Sequence, residues 1–314
     1  MRNIFFKVLA DMARIYDDIY LLTGDLGFKL FDDFRAKYPE RFFDVGLAEA
    51  NMIGIAAGLS LSEKNVYCYS IIPFLTMRAY EQVRIDIAYH NLNVKLVGVG
   101  GGFTYGLEGF THFGLEDLAL MKALPNMTVV VPADPKEAEQ LAKISYEYRT
   151  PLYIRLGRTG EPSIHSESPN FEIGKGMILS EGKDIAIFAI GNMVYHAKQV
   201  INILEKEGLT VTLVNMHSLK PLDIDLIKEC ASIHKAVFTI EEHSIIGGLG
   251  SSVAEVLSEN SYKGIFKRIG IPVSLENFIG NADYLRKRYG LSVENISGNI
   301  LRAMREEDTL WSGK

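Results

Sequence analysis

Residues 44–61 read DVGLAEANMIGIAAGLSL, a run of small and apolar residues that holds one acid after its first aspartate, Glu49. Gly46, Ala48, Ala50, Gly54, Ala56, Ala57 and Gly58 leave little side chain on what reads as one helix, so another backbone or helix is expected to approach it closely. Glu49 falls near the helix start, where the dipole and the free amides favour a negative charge. Two readings of this carboxylate stay open. It is an N-terminal charge or cap, or it is an acid held in a dry place with a raised pKa, as general acid–base chemistry needs.

The flanking sequence has the alternation of an α/β protein. A helix is expected over residues 3–16, with Phe5, Val8, Leu9, Met12 and Ile15 on one side. A short apolar run at 19–22 reads as a buried parallel strand ended by Thr23-Gly24-Asp25. Ligands of open α/β sheets bind outside the carboxyl ends of strands, so Asp25 is either a site residue or a turn aspartate. Further helices are expected at 31–38 and 135–148, and further strands at 41–45, 66–70, 94–99 and 151–156. Residues 70–89, SIIPFLTMRAYEQVRIDIAY, read as a loop and then a long helix, with Phe74 at the turn as a core aromatic. The glycine-rich stretch 98–112, GVGGGFTYGLEGFTH, fits flexible turns as well as phosphate binding, and taken alone His112 reads as a surface loop histidine.

Residues 159–175 are rich in Pro, Ser, Glu and Gly and read as a linker. Beyond them strands at 184–190, 210–215 and 236–240 alternate with helices at 194–207, at 223–232 and after GGLGSS, which makes a second α/β domain. GGLGSS imitates a dinucleotide finger only in part, because the third glycine is not at the proper spacing. The expected architecture is α/β in two domains, residues 1–160 and 176–314, joined by 161–175.

Composition narrows the function classes. A length of 314 residues suits two domains, and 47% hydrophobic with 23% charged residues suits a soluble protein with a substantial core. A formal net charge of -6 without a basic run argues against a nucleic-acid partner. Cys68 and Cys230 make no disulfide framework and read as buried thiols. No stretch approaches the roughly 20 apolar residues of a membrane span. The start, MRNIFFKVLADMARIYDD, lacks a small-residue cleavage site and turns acidic at once, so no signal peptide and a cytoplasmic location are expected.

The wording around Glu49, RFFDVGLAEANMIGIAAGL, resembles the pyrimidine-binding domain of the transketolase family of thiamine diphosphate enzymes. The resemblance implies that Glu49 shares a proton with a ring nitrogen of the cofactor's aminopyrimidine and favours the imino tautomer that deprotonates the thiazolium carbon. It makes Phe74 the aromatic that stacks on that ring, although the loop looks one residue shorter than in conventional transketolases. Residues 106–134, GLEGFTHFGLEDLALMKALPNMTVVVPAD, resemble the family segment in which a Thr-His pair ends the loop, which turns His112 toward the reacting carbons of a sugar. Asp25 lies where the family's pyrimidine domain has an aspartate. Arg2 and Arg158 match arginines that grip a sugar phosphate, and paired guanidiniums suit such a dianion. Glu108 stands where an aspartate often reads a substrate hydroxyl. Gly100 replaces a phosphate-binding histidine, which implies an unusual sugar or sugar phosphate. The residues after the linker resemble the family's carboxyl-terminal domain.

What the sequence lacks is equally informative. The family's first domain carries Gly-Asp-Gly followed by an Asn, an oxygen set that holds magnesium and the diphosphate. Gly24-Asp25-Leu26-Gly27 is the nearest approach to it here. The resemblance therefore implies one subunit of a split transketolase with no metal ligands of its own. The transketolase N-terminal, diphosphate-binding subunit would supply the magnesium ligands, in an α2β2 heterotetramer of carbohydrate metabolism. Ketol transfer from a ketose to an aldose is the implied reaction. A deoxyxylulose phosphate synthase-like chain, a 2-oxo acid dehydrogenase β-type chain and a non-catalytic partner subunit are the alternatives.

Overall fold

The computed structural model describes residues 1–158 and 160–311, with side chains through residue 306; Thr159, first residue of the expected linker, lies outside them. The amino-terminal half runs α1 (Arg2–Met12), β1 (Ile19–Thr23), α2 (Asp32–Lys37), β2 (Phe42–Asp44), α3 (Glu49–Leu61) and β3 (Asn65–Ile71). After an irregular helical stretch containing α4 (Tyr80–Gln82) come β4 (Val94–Val99), α5 (Asp117–Ala123), β5 (Thr128–Val130), α6 (Pro135–Glu147) and β6 (Leu152–Leu156). The other half runs β7 (Met177–Ser180), β8 (Ile185–Ala189), α7 (Met193–Lys206), β9 (Val211–Asn215), β10 (Ser218–Lys220), α8 (Ile224–Ile233) and β11 (Ala236–Ser244). It ends with α9 (Leu249–Glu259), β12 (Ile265–Ile271), α10 (Ala282–Arg288) and α11 (Val293–Trp311).

The first sheet has the order β10-β5-β6-β4-β3-β1-β2 and is parallel except for β10, which joins its edge antiparallel. The second has the order β12-β11-β8-β9-β7, parallel except for β7. Strands β3 and β4 are buried at every residue, as expected for parallel strands covered by helices on both faces. One side of the first sheet packs Phe5, Leu9, Tyr67 and Leu141 together. On the other side, Met52, Ile53 and Leu75 belong to the same apolar cluster as Phe188, Val214 and Val253 of the second half. The core is thus continuous across the two halves, and β10 stitches them through main-chain bonds as well.

Three expectations need correcting. The helix at the amino terminus ends at Met12 rather than residue 16, because the chain must turn there into the buried strand that starts at Ile19. Residues 74–89 do not form one long helix. A widened turn at Phe74–Arg78, the three residues of α4 and a second widened stretch at Val83–Tyr89 replace it, with Ala79 leaving the helical region at φ -106°. The hydroxyl of Thr76 donates to the carbonyl of Ile72 (2.8 Å), which supports the widened turn from within. Finally, Gly54 and Gly58 of α3 are exposed, with open space where a Cβ would stand, while Met52, Ile53, Ala56 and Ala57 face the core. Among the described residues, nothing lies within 4 Å of a Cβ built at either glycine.

Candidate functional site

The loop before Glu49 is folded by one aspartate. Asp44 Oδ1 accepts hydrogen bonds from the amides of Asp25 (2.8 Å) and Gly46 (3.1 Å), which draws the ends of β1 and β2 together. Gly46 takes the left-handed backbone (φ +71°) that turns the chain into α3. Glu49 is the first residue of that helix and is completely buried. Its carboxylate does not cap α3. Ser70 Oγ, at the carboxyl end of β3, donates to Oε1 (2.9 Å), and Arg78 Nη1 donates to Oε2 (2.7 Å). A buried carboxylate without such partners would cost several kcal/mol, so these two residues are what hold it there. A Cβ on Gly24 would lie 3.1 Å from the carbonyl oxygen of Gly46, a tight contact with backbone, and 3.6 Å from Glu49 Oε1.

From Glu49 a continuous wall of side chains runs across the carboxyl ends of the strands. The Arg78 guanidinium lies 4.6 Å from the centre of the Phe74 ring, a cation–π contact. Phe74 meets the His112 ring edge-on at 5.1 Å, and His112 meets Tyr105 at 6.3 Å. Arg158 lies 5.4 Å from the centre of the Tyr105 ring. The Tyr69 phenol, pushed up to about 12 by burial and eased by the charges of Arg2 and Arg158, adjoins the same end. Phe74, His112, Arg158 and Arg2 therefore adjoin one another at this end of the sheet, with Glu49 fully buried behind Arg78. Thr111 Oγ1 sits 3.0 Å from His112 Nδ1. Glu108 is exposed on the rim, and Asp25 is exposed at the β1 turn, where φ is +54°.

The loop that presents His112 is braced from behind. Gly102 and Gly114 exchange main-chain hydrogen bonds (2.9 and 3.1 Å). Arg155, buried in β6, donates from Nε to Asp117 Oδ2 (2.9 Å) and from Nη2 to the carbonyls of Gly114 (2.6 Å) and Glu242 (3.0 Å). Glu242 of β11 accepts from the amide of Phe103 (2.8 Å) and from Nε and Nη2 of Arg286 (both 3.0 Å). The second half of the chain thus reaches into the loop of the first.

Ser70, Arg78, Tyr69 and Tyr105 went unnoticed in the sequence. A signal existed for Arg78, which lies four residues after Phe74 and so within one helical turn of it. None existed for Tyr105, whose importance comes from what it packs against. The glycine finger 247–252 is spent on structure: the amides of Leu249 and Gly250 donate to Glu241 (2.7 and 2.8 Å), so the helix start is already capped by a carboxylate.

Among the described residues, Asp134, Glu137 and His165 have metal-ligand spacing. Their oxygens are committed elsewhere. Asp134 Oδ2 accepts from the amides of Ile164 (2.8 Å) and His165 (3.1 Å). Glu137 Oε2 accepts from the amide of Ala133 (2.8 Å), and Oε1 lies 2.6 Å from both His165 Nε2 and Asn215 Nδ2. The group is a clamp on the segment between the halves.

Residues 1–161 match the family of the transketolase pyrimidine binding domain, and residues 174–296 match the transketolase C-terminal domain. A transketolase C-terminal section of Methanocaldococcus jannaschii is 39% identical, over 98% of this chain and 97% of its own length. One of the subunits of the apulose-4-phosphate transketolase of Phocaeicola vulgatus is 38% identical, over 97% of each chain. A solved split-gene transketolase, in an inactive β4 tetramer, superposes with a TM-score of 0.87 at 40% identity, over 97% of this chain and 98% of that one. With both family domains in order and relatives matched along nearly their whole length, this chain belongs to the transketolase family, a thiamine diphosphate-dependent family of transferases, and within it to the carboxyl-terminal section of the split form.

Proposed function

We propose that this chain is the pyrimidine-binding and carboxyl-terminal subunit of a two-chain transketolase that moves a two-carbon ketol unit from a ketose to an aldose. Residues 1–160 form its pyrimidine-binding domain, 161–175 the linker and 176–314 the carboxyl-terminal domain. The observation that carries the reading is the burial of Glu49, whose carboxylate turns away from its own helix start toward Ser70 and Arg78, beside the partly exposed ring of Phe74.

A buried acid next to an aromatic face fits an aminopyrimidine. Phe74 would hold the ring by stacking, and Glu49 would hold a shared proton at a ring nitrogen. Bound thiamine diphosphate supplies the electron sink for making and breaking the carbon–carbon bond. His112 faces the reacting carbons, Arg2 and Arg158 take the anionic end of the sugar, Glu108 reads a hydroxyl, and Asp25 adjoins the cofactor site. Magnesium and the diphosphate fall to the partner subunit, because this sequence has no Gly-Asp-Gly and Asn oxygen set. Leu47, Leu107 and Phe110 are 63% to 70% exposed around the site, which suits a covering partner and an α2β2 assembly. No helix among the described residues is long and apolar enough to cross a membrane, and two buried free thiols suit the reducing cytoplasm.

Glu49→Gln tests the assignment in the enzyme assembled with its partner. Hydrogen–deuterium exchange at the thiazolium carbon should fall by at least about 100-fold, while the melting temperature stays close to that of wild type. Exchange at the wild-type rate would remove Glu49 from the proton relay.

A further inference from the structure

Gly100 follows β4 with a left-handed backbone, φ +96°, and a Cβ built on it would lie 2.3 and 2.4 Å from two ring carbons of Tyr105. The Tyr105 ring therefore occupies the volume that any side chain at position 100 would use. That ring is partly buried and stands between His112 and Arg158, with ring-to-ring and ring-to-guanidinium distances of 6.3 and 5.4 Å. Its phenol is raised by burial, held back by the charges of Arg158 and Arg2, and raised again by that of Glu108. All three charged residues thus lie within electrostatic reach of one hydroxyl. The backbone that carries the ring is held in a tight turn, with Gly106 N bonded to the carbonyl of Phe103 (2.9 Å) and Glu108 N to that of Tyr105 itself (3.0 Å).

We propose that Tyr105 is the specificity-determining residue of the sugar site: its ring, seated on Gly100, sets the reach between His112 and the Arg2–Arg158 end, so that the site selects short aldose phosphates by chain length. The inference rests on reading Arg2 and Arg158 as the anion end, as proposed above. Its physics is that of a filled pocket. A rigid ring held by packing on one side and by a guanidinium on the other excludes an extra carbon by overlap, and one carbon of pocket space is worth about 10- to 200-fold in discrimination. The hydroxyl contributes polarity at the anion end and is not what measures length.

The test uses the enzyme assembled with its partner subunit and two acyclic probes that differ by one carbon, D-glyceraldehyde 3-phosphate and D-erythrose 4-phosphate, with affinities from ligand-observed NMR. Tyr105→Ala and Tyr105→Leu should raise the affinity ratio of the four-carbon over the three-carbon probe by about tenfold. Tyr105→Phe should leave that ratio within about twofold of wild type, which a role through the hydroxyl would not do. An unmoved ratio in both ring-removing variants, with melting temperatures near wild type, overturns the proposal. So does the failure of the assembled wild-type enzyme to bind either probe. Arg158→Ala separates the two levels of the argument: if it weakens both probes while the Tyr105 variants leave the ratio alone, the anion end stands and only the length gauge falls. If Arg158→Ala changes nothing, it is the anion end that falls.

Discussion

Phe74 shows how one side chain can serve packing and chemistry together. Its ring carries the Arg78 guanidinium on one side and the edge of His112 on another, yet it stays partly exposed at the site surface. Aromatic stacking adds roughly 0.5–1.5 kcal/mol beyond area burial, which corresponds to about a two- to tenfold change in a binding constant. Phe74→Ala in the assembled enzyme should weaken thiamine diphosphate by at least that factor in calorimetry, while exchange at the thiazolium carbon of the saturated enzyme changes little. Unchanged affinity would show that the ring is only packing. At this scale the sequence was legible where chemistry is tied to a motif: Glu49, Phe74 and His112 stand in stretches whose wording points to them. Arg78 was overlooked although its spacing from Phe74 gave a signal, and Tyr105 was hidden because a glycine's neighbour in space cannot be read from the glycine.

The elements were legible wherever burial is uniform. VKLVGV at β4 and NVYCYSI at β3 are apolar or small at almost every position because helices cover both faces of the sheet. The segment between the halves was read as a linker from its composition, which cannot show that Asp134 and Glu137 at the start of α6 collect the amides and imidazole of residues 164 and 165. That clamp has a pH signature. The hydrogen bond with Glu137 raises His165 above its ordinary 6.5, against the opposing effect of burial. A group raised in the folded state stabilises most when protonated, so its contribution is complete below about pH 6.5 and is lost as pH rises through the folded value. His165→Gln should therefore lower the melting temperature most at pH 6, and the gap to wild type should close by pH 9. A gap that stays constant across that range would mean that the imidazole's charge plays no part in the clamp.

At the scale of the whole molecule, the split reading makes a strong demand on the isolated chain. Half of a cofactor site cannot hold the cofactor, because the diphosphate and its magnesium are the most strongly charged parts of it. The purified chain should bind thiamine diphosphate with magnesium poorly and turn over no sugar. Micromolar affinity in calorimetry without a partner would refute the division of the site between two chains. The α/β class and the paired layers were legible from alternation alone. The joining of the layers was not, since nothing in the short run Ser218–Lys220 announces that it will complete the other half's sheet. That strand, with the Glu242 carboxylate bound to the amide of Phe103, has a consequence for how such proteins can be recombined. The place where composition changes along the chain is not a seam in space. A cut there would bare the edge of β5 and leave the histidine-bearing loop without its brace, so the two halves can be exchanged only together.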